Sequence, residues 1–225
     1  MTRWLSVRWR RLPRLRRLPR WSWWSLLLLL PLLLINLAVA WVGRCVVFPL
    51  SPFHLGNKVA ALRAYAWHRP HCAFRADESL SPQMLARAEL RHQLPCGLLG
   101  AIVQVESGGH PHRISAAGAM GPLQLIPSTA RALGVSDPFD PEESLDGAAR
   151  YLHTQLGTFH SVRLAAAAYN AGPGSIVGHK VPQNGQTEIY VDRVLGALTF
   201  ERRARCVPPR RSAVASHARR ARPGE

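Results

Sequence analysis

Acidic residues are scarce in this 225-residue chain: 13 Asp and Glu stand against 29 Lys and Arg, a formal charge of +16. The imbalance sits at the ends. Residues 1–25 hold eight Arg and no acid, and residues 201–225 hold eight Arg against Glu201 and Glu225, which leaves +2 for residues 26–200. A basic readout face on the folded part is therefore excluded, and nucleic-acid binding with it. Cysteine is confined to Cys45, Cys72, Cys96 and Cys206, none of them in CxxC spacing. That excludes a zinc knuckle or a redox motif, while four cysteines suit an oxidising compartment and allow three pairings. The sequence leans towards Cys96 or Cys72 tying the start of the folded domain to something outside it. His110 and His112 have no third partner in the pattern, so no metal site is expected, and no cofactor. No Lys-Ser/Thr follows Gly172-Pro173-Gly174, which excludes a phosphate loop. No stretch alternates polar and apolar residues for long, so strands should be few and short and the fold class is all-α.

What is present begins with a long apolar run. Arg3 to Arg20 and the tryptophans Trp21, Trp23 and Trp24 precede a span that stays uncharged from Trp23 to Val42. The length suits a membrane-crossing helix, with Arg on the cytoplasmic side and Trp at the boundary. A cleaved signal peptide is the rival reading, because Ala38-Val39-Ala40 is an A-x-A site. Either way the remainder is exported. The expected organisation is a basic cytoplasmic N-terminus (1–22), a transmembrane signal anchor or signal peptide (23–43), a juxtamembrane linker (44–79), a folded domain (80–206) and a basic, low-complexity tail (207–225). Within the linker, Asn57 to Tyr65 reads as a short helix.

Proline and small polar residues mark the helices that follow. Ser81-Pro82 opens one that runs to about Leu94, and Pro95 starts the next. Pro127 opens a helix that Gly134 ends. Asp140 caps another, with Glu142 and Glu143 in its first turn. Val162 to Asn170 carries the run Ala165–Ala168, Ser175 to Lys180 reads as a further turn, and Thr187 to Arg203 is the last long helix.

The stretch from Cys96 to Gln124 carries the chemistry. Leu99, Ile102 and Val103 form one helical stripe, and Glu106 falls at i+7 of the same series. Gly108-Gly109 then ends the helix. A carboxyl placed there faces apolar walls and the negative end of the helix dipole, and both oppose ionisation. A carboxylic acid that keeps its proton near neutral pH is what a glycosidase uses to protonate a leaving glycosidic oxygen.

Four ordered blocks resemble the soluble lytic transglycosylase catalytic domain, which is related to goose-type lysozyme. They are Glu106-Ser107 with Pro111 and Ser115; Gly118-Ala119-Met120-Gly121 with Leu123, Gln124 and Pro127; Ala168-Tyr169-Asn170-Ala171-Gly172-Pro173-Gly174; and Thr187 with Tyr190, Val191 and Val194. The likeness covers about residues 80–200. It implies an all-α lysozyme-like domain acting on peptidoglycan glycan strands, with Glu106 as the single acid/base. Ser115, Met120, Gln124, Tyr169, Asn170 and Tyr190 would bind substrate or hold the carboxyl. The implied product is a 1,6-anhydromuramyl end. A hydrolytic muramidase and a non-catalytic glycan-binding module are the alternatives. Two positions depart from the family: Gln186 stands where a Glu is frequent, and Pro122 where an apolar residue such as leucine is common. A single domain on an inner-membrane anchor (23–43), facing the periplasm, suggests local wall opening for a secretion or conjugation apparatus.

Overall fold

The computed structural model describes residues 20–43, 50–72 and 80–206, with side chains placed for 27–43, 50–68 and 80–206. The expectations for residues 1–19, for Cys45 and for the tail from 207 lie outside the described residues. In chain order the helices are α1 (Arg20–Gly43), α2 (Leu55–Cys72), α3 (Pro82–Arg91), α4 (Leu98–Glu106), α5 (Pro127–Ala132), α6 (Pro141–Phe159), α7 (Val162–Ala171) and α8 (Thr187–Glu201). Among the described residues there is no strand. Two isolated bridges, Ile114 to Met120 and Met120 to Leu125, are the only β-type pairings there.

Local chemistry explains most of the boundaries. The Ser81 hydroxyl accepts from the Met84 amide at 3.1 Å, and Asp140 accepts from the Glu143 amide at 2.9 Å. Ser161 does the same for Leu164 at 3.4 Å, so three helices start on side-chain caps that satisfy otherwise orphaned amides. Elsewhere the structure corrects the expectation. α4 starts at Leu98 rather than Pro95, because Gly97 takes a left-handed conformation (φ +87°) just before it. The turn expected over Ser175–Lys180 is present in its second half, where the Lys180 amide donates to the Val177 carbonyl at 3.2 Å, and a separate 3₁₀ turn at Pro173–Ser175 follows directly on Gly172 at the end of α7. The helix expected over Asn57–Tyr65 is twice as long and reaches from Leu55 to Cys72.

α4 is the axis of the main core. Leu98, Leu99, Ala101 and Ile102 are fully buried, and α8 lies along the helix with Val191 and Val194 facing it. Each such aliphatic side chain contributes about 1.5–3 kcal/mol through burial. Ala165 to Ala168 of α7 are also fully buried, and their small side chains let α7 sit close to both α6 and α8. A second, smaller core joins the two halves of the chain: Val39 of α1 and Ala61 of α2 pack with Ile114, Met120 and Phe139. Gly121 (φ +72°) permits a tight approach there, since a side chain at that position would collide with the Pro138 carbonyl.

α1 is two-sided. Leu27 to Leu30, Leu34, Leu37 and Trp41 are exposed, while Asn36, Val39 and Gly43 are buried. Asn36 donates to the Ser51 carbonyl at 3.1 Å and accepts from Lys58 Nζ at 2.7 Å. Among the described residues no helix is long and apolar enough to cross a membrane.

The N-terminus of α4 has no cap of its own. The buried Glu89 supplies one from α3, accepting from the amides of Gly97 (3.0 Å), Leu99 (2.9 Å) and Gly100 (3.3 Å). Arg205 reaches the same carboxylate at 3.3 Å. The expected disulfide to something outside the domain is corrected here. Cys96 pairs with Cys206, across 110 residues and a Cα separation of 6.2 Å, and so ties the start of α4 to the turn that follows α8. The reason is α4 and α8 lying side by side, a proximity that spacing along the chain does not reveal.

E89A is expected to lower the unfolding free energy by about 3 kcal/mol, because it strands three buried amides and leaves Arg205 with Glu201 alone as a counter-charge. Urea denaturation of parent and variant measures this; a loss under about 1 kcal/mol would remove Glu89 from its capping role.

Candidate active site

Glu106 is the last residue of α4, and the backbone turns away at Ser107, Gly108 and Gly109. Ser107 is fully buried; its hydroxyl donates to the Val103 carbonyl at 3.2 Å and accepts from the Gly109 amide at 3.1 Å, which locks the exit of the helix. The Glu106 carboxyl therefore projects from a rigid end. Opposite it, Tyr190 of α8 is buried and donates its hydroxyl to Glu106 Oε1 at 2.7 Å. Burial pushes the Glu106 carboxyl up to about 7, against the lowering pull of the Tyr190 hydroxyl and of the nearby Arg113 guanidinium. Desolvation exceeds both stabilising partners, so the neutral acid persists close to neutrality. The Tyr190 and Tyr169 hydroxyls are both held well above the ordinary tyrosine range, by burial first and then by the Glu106 charge.

The other residues singled out by sequence fall into two groups. Tyr169 and Tyr190 gather with Glu106. The Tyr169 hydroxyl donates to the Leu123 carbonyl at 2.8 Å, and so fixes the Gly121–Leu125 turn against α7. Gln124 sits in that turn with φ +50°, its Nε2 donating to the carbonyls of Arg113 (3.1 Å) and Gly121 (2.8 Å). Those two carbonyls require the amide nitrogen, which leaves Oε1 on the opposite side. Ser115 Oγ accepts from the amides of Ala117 (3.2 Å) and Ala119 (3.0 Å), a turn-making arrangement that still leaves its O–H to donate. Asn170 is exposed at the end of α7, and its Oδ1 accepts from Thr187 Oγ1 at 3.1 Å, joining the ends of α7 and α8. Met120 stands apart: it is buried in the second core with Val39, Ala61, Ile114 and Phe139. Gln186, at the position where a second acid is frequent, is exposed at the start of α8.

Sequence reading missed Arg113. Its carbonyl accepts from the Gly121 amide (2.9 Å) and from Gln124, and its Nη1 donates to the Ser107 carbonyl at 3.2 Å. The signal was a lone cation between His112 and Ile114, two positions before Ser115, on a stretch otherwise read only as a loop. The partners of Glu89 went unremarked too: it caps a helix other than its own.

Residues 83–191 match the family described as Transglycosylase SLT domain, which takes in the first three blocks whole and the fourth as far as Tyr190 and Val191. The resemblance drawn from those blocks is thus upheld. A protein named transglycosylase from Enterobacteria phage PRD1 is 37% identical over 90 residues, 40% of this chain and 34% of that protein. Membrane-bound lytic murein transglycosylase F 2 of Alkalilimnicola ehrlichii is 38% identical over 98 residues, 40% of this chain and 22% of that protein. The matched part thus covers about a third or less of the length of these relatives. Among solved structures, the 70 kDa soluble lytic transglycosylase of Escherichia coli aligns with a TM-score of 0.51 at 20% identity, over 78% of this chain and 35% of that one. An inactive mutant of lytic transglycosylase Slt from Pseudomonas aeruginosa aligns with a TM-score of 0.50 at 23% identity, over 70% and 31%. At these identities the likeness is one of fold: the helical arrangement is the lytic transglycosylase one.

The raised carboxyl has a consequence for stability. Between about 4.5 and 7 the folded chain binds a proton at Glu106 that the unfolded chain has released. Stability from this group is therefore full below the unfolded value and is lost as pH rises through 7, by up to about 3 kcal/mol. E106Q keeps an acceptor for Tyr190 and does not titrate. Its unfolding free energy relative to the parent is expected to climb between pH 4 and pH 8; parallel stability–pH curves would show that the carboxyl is not held neutral.

Proposed function

We propose that this chain, whose residues 83–191 match the Transglycosylase SLT domain, is a peptidoglycan lytic transglycosylase that cleaves the β-1,4 bond between N-acetylmuramic acid and N-acetylglucosamine. The observation that carries the reading is the Glu106 carboxyl, held neutral near pH 7 at a helix end with Tyr190 on one of its oxygens. Because the tyrosine donates to Oε1, the acidic proton belongs to Oε2. That proton passes to the glycosidic oxygen as the C1–O bond breaks. The N-acetyl carbonyl of the muramyl unit meets the electron-poor C1, so no second carboxylate is required. Glu106, now a carboxylate, removes the proton from the C6 hydroxyl, and O6 closes on C1 to give the 1,6-anhydro end. Proton, bond and charge balance, with no water consumed.

The surrounding polar groups fit positioning roles. The Ser115 hydroxyl and Gln124 Oε1 retain hydrogen-bonding capacity next to a turn fixed by Tyr169, and Asn170 lies at the open end of α7. General acid/base catalysis contributes about 10²–10⁴-fold, so rigid placement of the sugar must supply much of the rest. Met120 supports this wall from behind through the second core.

The same proposal extends to location. The exposed apolar side of α1 within residues 23–43, preceded by Arg-rich sequence, would hold the chain at the inner membrane with the catalytic domain in the periplasm, while Asn36, Val39 and Gly43 stay packed on that domain. The membrane-bound label of several relatives supports this. Local opening of the wall for a secretion or conjugation apparatus is the matching cellular role, and intact assembly of every such apparatus in a deletion strain would argue against it.

Digestion of purified sacculi is expected to release fragments lighter by one water than their reducing-end counterparts, as mass spectrometry would show. E106Q is expected to lower turnover by about 10³-fold while still binding sacculi. Reducing ends would instead identify a hydrolytic muramidase, and binding without turnover in the parent would identify a glycan-binding module. After cell fractionation the chain is expected in carbonate-resistant membranes with its N-terminal segment attached. A mature N-terminus next to Ala40 would identify a cleaved signal peptide and end the anchor reading.

A further inference from the structure

A cavity of about 380 Å³ lies between the α1–α2 pair and the loop that follows Glu106. Val42 and Gly43 at the end of α1, Tyr65 of α2 and the run from His110 to Arg113 line it. Three of these residues fall outside the matched segment 83–191, so the N-terminal arm builds part of the wall. Its volume lies in the range that holds a small ligand group. Its chemistry is one-sided: the polar side chains are Tyr65, His110, His112 and Arg113, and no acid is among them.

The wall is also fixed in place. Arg113 is clamped at its carbonyl by Gly121 and Gln124, and among the described residues its guanidinium gives one hydrogen bond, to the Ser107 carbonyl. The His112 ring meets Tyr65 edge-on at 6.0 Å, and its Nε2 lies 3.2 Å from His68 Nε2. His68 Nδ1 in turn lies 2.6 Å from Asp137 Oδ2. Asp137, the acid behind the wall, is thus already engaged by His68. A guanidinium on a cavity wall with no acid in its lining is complementary to a carboxylate, which takes two parallel N–H bonds from Arg; the nearby Glu106 carboxyl, which feels the Arg113 charge, is held neutral by burial.

Resting on the transglycosylase reading, we infer that this cavity is a subsite for a carboxylate carried on the lactyl side chain of the muramyl unit, with Arg113 as the anchoring cation. Two sources share that chemistry: the lactyl carboxyl itself, free in peptide-less glycan, and the carboxylate of an attached stem peptide. The domain then supplies the reacting carboxyl, and the arm helps select the strand.

Titration calorimetry on the full-length E106Q protein separates the cases, with three soluble muramyl tetrasaccharides as probes. One has a free lactyl acid, one a lactyl methylamide, and one a short stem peptide ending in a carboxylate. At least one acid is expected to bind about tenfold more tightly than the neutral methylamide, the size of one charge-assisted pair, and the tighter acid identifies the source. In E106Q/R113Q the acid-to-amide ratio should fall to near one, and in E106Q/R113K it should be partly kept. Equal binding of acids and amide, or a preference that survives R113Q, overturns the inference. Should R113Q fail to fold by near-UV circular dichroism, E106Q/R113K carries the test alone, with the ratio expected to drop and an unchanged ratio counting against the subsite. Sacculus turnover by the parent is read separately. Anhydro ends without an acid preference sink only the subsite; an acid preference without turnover sinks only the reaction.

Discussion

Everything in the domain hangs on the capping of α4 from outside. The helix is nine residues long and nearly all apolar, so it can be stable only where both its flanks and its ends are covered. Gly97 offers no side chain to its first amides. Glu89 fills that gap with a carboxylate shared among three N–H groups, a strong arrangement because the acceptor is charged and the helix start is electropositive. The Cys96–Cys206 bond then fixes the end of α8 to the same point. With one end of α4 and one end of α8 pinned together, the register between the two helices is set, and Tyr190 arrives opposite Glu106 at the far end of α4.

At the far end the balance of forces is deliberately incomplete. Tyr190 and Arg113 both favour the carboxylate, yet burial outweighs them. Had Glu106 been given the treatment of Glu89, with several amide donors, it would have been a structural anion and a poor proton donor. The contrast between these two glutamates is one of donor count, not of residue type. It also carries a stability cost at neutral pH, as is common where a site is built for chemistry.

How much of this was legible in the sequence follows from the range of the interactions involved. Ser81, Asp140 and Ser161 act on amides three residues away, so their helices could be read directly. Glu106 could be read too, because a carboxylate on an apolar stripe is a local contradiction. Glu89 could not: its partners lie 8 to 11 residues on, across a turn, and only the lack of a cap at Gly97 hinted that one was needed. The length of α2 was hidden for a similar reason. Lys58 and His68 look like solvent-facing residues until Asn36 and Asp137, 22 and 69 residues away, meet them. The residues proposed to meet substrate were named by resemblance to a motif, and the structure adds what resemblance lacks, namely which of their atoms are already committed. Ser115, Gln124 and Tyr169 each spend part of their bonding capacity on the loop that presents them.

The arm makes the least expected contribution. A helix whose only task was to cross lipid would have no use for Asn36 matched to a buried lysine, or for a Gly43 whose missing side chain admits the Ile114 carbonyl. These features belong to a helix that packs on its own domain. They bear on the A-x-A sequence as well: Val39, its middle residue, is fully buried beside Ala61 and Ile114, so a peptidase would meet that site only before the arm docks. Removing residues up to Ala40 would strip Val39 from the second core, Asn36 from Lys58, and with them the support for Val42 and Gly43 at the cavity wall. The packing thus couples the fate of the N-terminal helix to the shape of the wall next to Glu106: the chain keeps its helix, or it reshapes its cleft.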